Sequence, residues 1–259
     1  MRILFFGDIF GKPGRMILLT HLRDIVASTK ADFVIANAEN LADGKGLTEK
    51  TLKPLFAAGV DAVTGGNHLW DREESHDFIC REPRIVKPLK YPKSAPGDEV
   101  YTIRKNGFVL DVISICGQIF MPPCNSPFEA FEGFLTTRIE SRPLFLDMHA
   151  ESSSEKRAMG WFVDGKATLM AGTHTHIQTA DEEILPGGTA YITDVGMTGS
   201  HDSVIGVRKE IILEKLTTSV PRRFETSDLG LMVNAIIVEA NPDSGQAVSI
   251  ERLRYKVEV

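Results

Sequence analysis

The chain has 259 residues, of which 42% are hydrophobic and 25% are charged. This apolar content is sufficient for a sizeable core and excludes general disorder. The formal net charge of -6 gives no basic surface for bulk nucleic-acid binding, although bound cations would still let an acidic protein take an anionic substrate.

The three cysteines, Cys80, Cys116 and Cys124, indicate a protein of a reducing compartment. Their number is odd and no pair has zinc-ribbon spacing, so we expect reduced thiols in the cytoplasm. The apolar run before Asp8 is too short for a signal peptide and predicts a strand instead. No run approaches membrane-spanning length, so we expect no membrane partner.

The first seventy residues alternate between predicted strands and predicted helices. The strands are expected at 2–9, 32–39 and 61–65, and the helices from Pro13 to about Ser28 and from Thr48 to Gly59. Thr48 is a good N-cap and Gly59 a good C-cap. This order predicts a parallel sheet with right-handed crossovers.

The middle of the chain is less regular. Four prolines within 81–98 indicate a long surface connection, and Asn106-Gly107 predicts the turn of a hairpin. Residues 117–135 fit either a loop near the site or a helix packed on it. Further strands are expected at 143–148 and 167–171, with a helix near 154–162 between them.

The last part predicts a strand at 190–194, a helix at about 203–216 and a hairpin that pairs 232–239 with 247–257. The apolar stripe of this helix indicates packing on the core. Without a repeat or a convincing linker, the simplest interpretation is one domain over residues 1–259 with two sheets.

Metal-ligand residue types follow five apolar runs, at the points where the predicted strands end. They are Asp8, Glu39 with Asn40, Asn67 with His68, His149, and His174 with His176. Open α/β sheets bind ligands beyond the carboxyl ends of their strands. The mixture of carboxylates, amides and imidazoles suits Zn, Mn or Fe better than Ca or Mg.

Each of these residues alone is more typical of a helix cap, a turn or a hydrogen-bonded packing residue. The conjunction of five strand ends favours one shared site. A purely structural zinc site usually has closed Cys and His ligation, which this carboxylate-rich, Cys-free set does not match.

Five segments together resemble the metal-binding blocks of the calcineurin-like metallophosphoesterases. They read GDIFGKPGR, NAEN, GGNHLWD, DMHAE and AGTHTHIQTAD, and DVGMTG and DSVIG extend the similarity downstream. The match is closest to the YmdB-like phosphodiesterase branch. Phe10 stands where the superfamily has a ligand His, and Glu39 stands where it has a bridging Asp. Both departures match the branch, in which Asn40 would help to bind the first metal.

The resemblance implies a four-layered α/β/β/α sandwich with a dinuclear site for two divalent or trivalent ions, Fe, Mn or Zn. It assigns Asp8, Glu39, Asn40 and His176 to the first metal and Glu39, Asn67, His149 and His174 to the second. His68 would be the general acid. Asp147 and Asp181 are candidate partners of the imidazoles, with an ordinary turn or surface role as the alternative.

The implied activity is hydrolysis of 2′,3′-cyclic nucleotides, with 3′,5′-cyclic ones as a further option, by a hydroxide that bridges the metals. Candidate substrate contacts are Arg15, Thr198 and Gly199. The alternatives are a phosphomonoesterase or nuclease at the same site, or a regulatory protein that binds a nucleotide without hydrolysing it. The family is linked to regulation in bacteria. The lack of a basic groove argues against long nucleic acids, and a homo-oligomer is a default expectation.

Overall fold

Two β-sheets lie face to face at the centre of the protein, in a computed structural model that describes residues 1–139 and 142–257. In chain order the strands are β1 (Arg2–Phe6), β2 (Asp8–Ile9), β3 (Phe33–Asn37), β4 (Ala62–Thr64), β5 (Ile85–Val86), β6 (Val100–Lys105), β7 (Phe108–Cys116), β8 (Leu144–His149), β9 (Leu169–Thr173), β10 (Glu183–Ile184), β11 (Ala190–Ile192), β12 (Met197–Ser200), β13 (Leu231–Ala240) and β14 (Ala247–Lys256).

Helices cover the outer faces of the sheets. They are α1 (Gly11–Thr29), α2 (Glu49–Ala58), α3 (His76–Arg81), α4 (Pro127–Leu135), α5 (Ser153–Val163) and α6 (Lys209–Thr218), with a short 3₁₀ turn at Glu73–Ser75. Thr48 caps α2 by accepting a hydrogen bond from the amide of Thr51. Gly59 ends that helix in the left-handed region, at φ 112°, as the sequence predicts.

The first sheet has the order β2-β12-β13-β1-β3-β4-β5, with β14 also paired to β13. The second has the order β10-β11-β9-β8-β7-β6. Strands β1, β3, β4 and β5 are parallel to one another, and so are β7, β8, β9 and β11. The predicted parallel arrangement is therefore confirmed in both sheets, and the two predicted hairpins form β6–β7 and β13–β14.

Alternate residues of the central strands face different cores, which produces four layers. Leu4 and Phe6 of β1 pack toward α1 and α2, whereas Ile3 and Phe5 pack toward the second sheet. The Phe5 ring lies 4.7 Å from that of Phe145. A third core joins the far face of the second sheet to α4 and α5. The order helix, sheet, sheet, helix agrees with the expected α/β/β/α sandwich.

Two predictions about local structure are wrong in part. Residues 81–98 are not a surface connection throughout, because Ile85 and Val86 form the edge strand β5 and Lys87 and Lys90 are buried. The Nζ of Lys90 donates to the carbonyl of Gly117 at 2.5 Å. Here backbone carbonyls satisfy the buried ammonium groups, which composition alone does not reveal.

The apolar stripe predicted for residues 203–216 packs on a core only in part, because Val207 is buried with Phe10 and Met197 and Ile212 packs against this cluster. The helix begins at Lys209, and none of its ten residues is buried. Leu213 and Leu216 are 56% and 71% exposed. Residues 204–207 form a tight turn instead, with Val204 paired to Val207. Helical periodicity could not show which residues of this segment a partner covers.

Segment 117–135, for which the sequence left a loop and a helix open, contains both. Ser126 caps α4, and the preceding residues form a loop. In the described ranges, every helix is too short or too polar to cross a membrane. The three cysteines are free thiols, as expected.

Candidate metal centre

The predicted ligand residues meet where the carboxyl-terminal edges of the two sheets adjoin. Asp8, Glu39 and Asn67 come from the first sheet and the turns that follow its strands, whereas His149 and His174 come from β8 and the turn after β9. The Oε1 of Glu39 lies 2.9 Å from the Nε2 of His149. Segments that are distant in sequence therefore bring Glu39, His149 and His174 together, as the sequence analysis expects of these residues.

One group of donor atoms surrounds Glu39 and His149. Ligand atoms of Glu39, His149 and His174 all lie within 4.8 Å of one another. The Nε2 of His149 is 3.0 Å from the Nδ1 of His174 and 3.1 Å from the Oδ1 of Asn67. These donors match the set expected for the second metal.

Asp8 and His176 form a second group, and Asn40 lines the same cavity as His176. The Oδ1 of Asp8 lies 3.8 Å from the Nε2 of His176. Within the described ranges, Asp8 Oδ1 and Asn40 Oδ1 are buried without any hydrogen-bond partner. Burial also raises the pKa of Asp8, against the lowering influence of His176. Buried polar atoms without partners are costly, and a bound cation is a group that satisfies such oxygens. The residues therefore fit a metal.

Hydrogen bonds orient the imidazole of His149. Thr173 Oγ1 donates its hydrogen to Asp147 at 2.6 Å, so it accepts from the Nδ1 of His149 at 2.9 Å. The Nε2 atom then faces Glu39. Burial raises the pKa of Asp147 to about 6 although its hydrogen bonds and His149 lower it. Asp147 thus acts on the imidazole through Thr173, as metal-site carboxylates often do.

The other two imidazoles are oriented by groups that the sequence analysis did not identify. His176 donates from Nδ1 to the carbonyl of Ile205 at 3.0 Å, which leaves Nε2 toward Asp8. The Nε2 of His174 lies 3.3 Å from Glu151, which leaves Nδ1 toward His149. Glu151 directly follows the DMHA segment, but its partner is distant in sequence.

The ionisation of the cluster follows from its charges. Burial alone would lower the pKa of His149, but the carboxylate of Glu39 outweighs it and raises the pKa to about 9. Burial and the neighbouring His149 lower the pKa of His174 to about 3. In the metal-free protein Glu39 and His149 therefore form an ion pair, and the neutral His174 keeps a lone pair on Nδ1.

His68 lies beside this cluster and lines the adjoining cavity. Its backbone N–H donates to Glu39 Oε2 at 2.9 Å. Its ring is tied through Nδ1 to Asp71 at 2.8 Å, and the side chain is 27% exposed. The ring is therefore anchored at one nitrogen and accessible from the cavity, which suits a group that meets substrate.

The cavity has a volume of about 670 Å³. Its polar floor includes Glu39, Asn40, His68, His174 and His176. Its apolar wall consists of Phe10, Ile205, Val207 and Phe224. Its rim carries charges of both signs, from Lys45, Arg72 and Arg223 and from Asp43, Glu151 and Glu225. Small-molecule sites are typically about 300–1,000 Å³ and combine apolar walls with a few polar groups.

The three candidate substrate contacts lie outside this cavity. Arg15 donates to the carbonyl of Leu41. Thr198 and Gly199 are buried in β12, where Thr198 Oγ1 donates to the carbonyl of Asn234 at 3.2 Å. Asp181 bonds Thr193 rather than an imidazole. A glycine-rich segment next to a predicted site is therefore a weak guide to substrate contact here.

Phe10, at the position where the superfamily has a ligand His, packs against His176. Its ring meets that of His176 edge to face at 5.4 Å. A Cβ atom on Gly206 would lie 2.3 Å from the Phe10 ring, and one on Gly44 would lie 2.6 Å from it. The absence of side chains at these glycines makes room for the phenyl ring, and Asn40 supplies a donor oxygen nearby.

Comparison with known proteins agrees with this architecture. A family model described as YmdB-like protein matches residues 4–253. A Bacillus subtilis (strain 168) protein named 2′,3′-cyclic-nucleotide 2′-phosphodiesterase is 42% identical over 254 residues, which cover 98% of this chain and 96% of that protein.

Two crystal structures resemble the whole chain. One, of a hypothetical protein from Thermus thermophilus, has a TM-score of 0.93 at 37% identity and covers 99% of each chain. The other, of a novel phosphatase from Mycoplasma pneumoniae, has a TM-score of 0.93 at 31% identity and covers 99% of this chain and 93% of that one. With the family model spanning both sheets and all five ligand segments, the chain belongs to the YmdB-like family.

Proposed function

We propose that the protein is a metal-dependent phosphodiesterase that hydrolyses 2′,3′-cyclic nucleotides. The observation that carries this proposal is the convergence of carboxylate, amide and imidazole donors around Glu39 at the floor of a cavity. The substrate class is supported by the name of the Bacillus subtilis relative, which aligns over nearly the whole of both chains.

Two ions are proposed, each with four protein ligands. Asp8, Glu39, Asn40 and His176 would hold one, and Glu39, Asn67, His149 and His174 the other. When bound, such a pair polarises a phosphate and lowers the pKa of water at the site. The two unpaired buried oxygens of Asp8 and Asn40 support the first site, and the close approach of His149 to Asn67 and His174 supports the second.

His68 is proposed to donate a proton to the departing sugar oxygen. The contact between Nδ1 and the carboxylate of Asp71 fixes the ring plane. The opposite nitrogen is then the one that can give a proton to a substrate in the cavity. General acid catalysis of this kind contributes about 10²–10⁴-fold to the rate.

The shape and charge of the cavity support a nucleotide. Phosphate would meet the polar floor, while the apolar wall with Phe224 offers a surface to a base. Lys45, Arg72 and Arg223 line the cavity beside the carboxylates of Asp43, Glu151 and Glu225, so cationic groups are available to a phosphate there. The net charge of -6 remains unfavourable for a long nucleic acid.

Hydrolysis assays after metal analysis test the proposal. Protein purified without added metal should contain about two equivalents of Fe, Mn or Zn per chain. It should hydrolyse 2′,3′-cyclic AMP and prefer bis-p-nitrophenyl phosphate to p-nitrophenyl phosphate. The name of the Mycoplasma pneumoniae structure keeps a phosphomonoesterase as the alternative. A clear monoester preference would favour that alternative, and a tight nucleotide complex without product would favour a regulatory binding protein.

A further inference from the structure

The turn that carries His174 and His176 has an unfavourable backbone conformation. Their φ angles are 98° and 66°, both in the region that favours glycine. Such conformations cost free energy and persist only where surrounding contacts hold them. Something other than the two imidazoles must therefore fix this turn.

Asp194 holds the residue between the two histidines. Its Oδ2 accepts from the backbone N–H of Thr175 at 3.2 Å and from the Thr175 hydroxyl at 2.8 Å. Its Oδ1 accepts from the backbone N–H of Gly196 at 2.8 Å. One carboxylate thus joins the histidine turn to the turn that begins β12.

The second of these turns leads to the other side of the metal centre. Gly196 has φ 80°, and the next residue, Met197, pairs with Asp8 in β2. Asp8 in turn accepts from the backbone N–H of His174 at 3.0 Å. Asp194 therefore fixes both the backbone of the imidazole ligands and the strand beside the Asp8 carboxylate.

Lys156 of α5 reaches the same carboxylate from the protein interior. Its Nζ lies 2.6 Å from Asp194 Oδ2, and the two side chains are 0% and 1% exposed. The lysine passes over Gly172, where an added Cβ would lie 2.9 Å from Lys156 Cδ and 1.7 Å from the carbonyl oxygen of Thr193. The fold thus makes space for a buried ion pair.

A buried ion pair is a poor means of stabilising a fold, because apolar residues of similar size often stabilise it equally well or better. Its connection to the metal ligands suggests a different role. We propose that Lys156 and Asp194 are positioning residues that hold His174, His176 and Asp8 in the geometry that binds metal. This inference rests on the metal site of the proposed function.

The decisive test separates positioning from stability. In Lys156→Met/Asp194→Leu both buried charges are removed together, so neither is left unpaired, and the free energy of unfolding of the metal-free protein is measured beside the Mn²⁺ affinity to separate stability from metal binding. Thr175 and Gly196 nevertheless lose their acceptor. We expect the Kd for Mn²⁺, measured by calorimetry on metal-free protein, to rise about tenfold or more. Unchanged Mn²⁺ affinity in the folded double variant would overturn the proposal.

A second double variant, in which residue 194 stays nearly isosteric with aspartate, tests the role of the Asp194 side-chain oxygen as a hydrogen-bond acceptor. Lys156→Met/Asp194→Asn is also uncharged but retains one side-chain oxygen, and it should recover part of the lost Mn²⁺ affinity. If the Asn and Leu variants bind Mn²⁺ equally, the acceptor has no positioning role and the proposal is wrong.

Should the double variants fail to fold, Thr175→Val tests the same contact from the other side. It removes only the hydroxyl that donates to Asp194. We expect a weaker but measurable loss of Mn²⁺ affinity, and no loss would contradict the inference.

A matched control is the pair Lys105–Asp61, whose Nζ and Oδ2 atoms lie 2.8 Å apart. Asp61 also accepts a backbone N–H, that of Val34, at the opposite end of the strands. Lys105→Met/Asp61→Leu should leave Mn²⁺ affinity unchanged. Wild-type protein that binds no Mn²⁺ would contradict the proposed function itself, whereas wild-type binding that the Asp194 variants retain contradicts only the positioning role.

Discussion

The carboxylate of Glu39 and the imidazole of His149 form a buried ion pair across the two sheets, with Oε1 and Nε2 2.9 Å apart. Glu39 follows β3 of the first sheet, and His149 ends β8 of the second. The contact joins the layers at the point where metal donors gather. In the metal-free protein a proton on His149 occupies the electrostatic role that a cation would take.

This pair makes metal binding pH-dependent. The pKa of His149 is raised from 6.5 to about 9 by Glu39 against the effect of burial, so the proton must leave when a metal binds the neutral imidazole. We expect Mn²⁺ affinity to rise between pH 6.5 and about 9, with about one proton released per chain near pH 7. Calorimetry in buffers of different ionisation enthalpy measures this release.

The stability of the metal-free fold changes with pH in the opposite direction to the Mn²⁺ affinity. Because the folded pKa of His149 is raised, its proton stabilises the metal-free fold fully below pH 6.5, and this contribution is lost as the pH rises through about 9. Glu39→Gln should reduce both the pH dependence of Mn²⁺ affinity and the pH dependence of the stability of the metal-free fold. An Mn²⁺ affinity independent of pH, together with no proton release from wild-type protein, would contradict the assigned ion pair.

His68→Ala should separate catalysis from metal binding. The backbone N–H that contacts Glu39 remains in this variant, so the metal content should not change. Loss of the proton donor should slow hydrolysis of 2′,3′-cyclic AMP by about 10²–10⁴-fold. The loss should be smaller for bis-p-nitrophenyl phosphate, because its leaving group needs little protonation. Asp71→Asn, which keeps the ring but weakens its anchor, should give an intermediate rate. Loss of metal from His68→Ala would instead make His68 a ligand.

The strand-end donors could be predicted from sequence because each follows an apolar run, and parallel strands end at one edge. Glu151, Asp71 and the carbonyl of Ile205 could not. Glu151 and Ile205 act through contacts with histidines more than twenty residues away in the chain. Asp71 lies only three residues after His68, in a partly exposed turn. The Lys156–Asp194 pair was also missed, since a helical lysine normally indicates a solvated face. Conversely, the stripe that ends at Leu216 was assigned to the core although Leu216 is 71% exposed, because periodicity does not reveal a partner.

Asn40 provides a test of the proposed metal site that it would share with Asp8, Glu39 and His176. Its Oδ1 is buried and unpaired, while its Nδ2 donates to the carbonyl of Gly44 at 3.1 Å. Asn40→Leu removes the donor oxygen at similar volume, so we expect metal content to fall from about two equivalents to about one. Asn40→Asp keeps an oxygen and should retain both ions. Elemental analysis of the purified variants measures the result, and two full equivalents in Asn40→Leu would remove Asn40 from the ligand set.

Phe224 offers a test of how the cavity recognises a nucleotide. The residue is 45% exposed and belongs to the cavity wall, and the Nζ of Lys215 lies 4.7 Å from its ring centroid. A base that stacks on an aromatic ring gains about 1–3 kcal/mol, which corresponds to roughly 5- to 150-fold in affinity. We therefore expect Phe224→Ala to raise KM for 2′,3′-cyclic AMP by a factor in this range, with kcat and metal content little changed.

The matched substrate for this variant is glycerol 1,2-cyclic phosphate, which has the same five-membered cyclic diester without a base. Its hydrolysis, followed by phosphorus NMR, should be nearly equal in wild-type protein and in Phe224→Ala, because no group is present to stack. Phe224→Trp should retain a low KM for the nucleotide. If Phe224→Ala slows both substrates equally, the residue supports the shape of the metal centre, and the base must be recognised elsewhere along the rim.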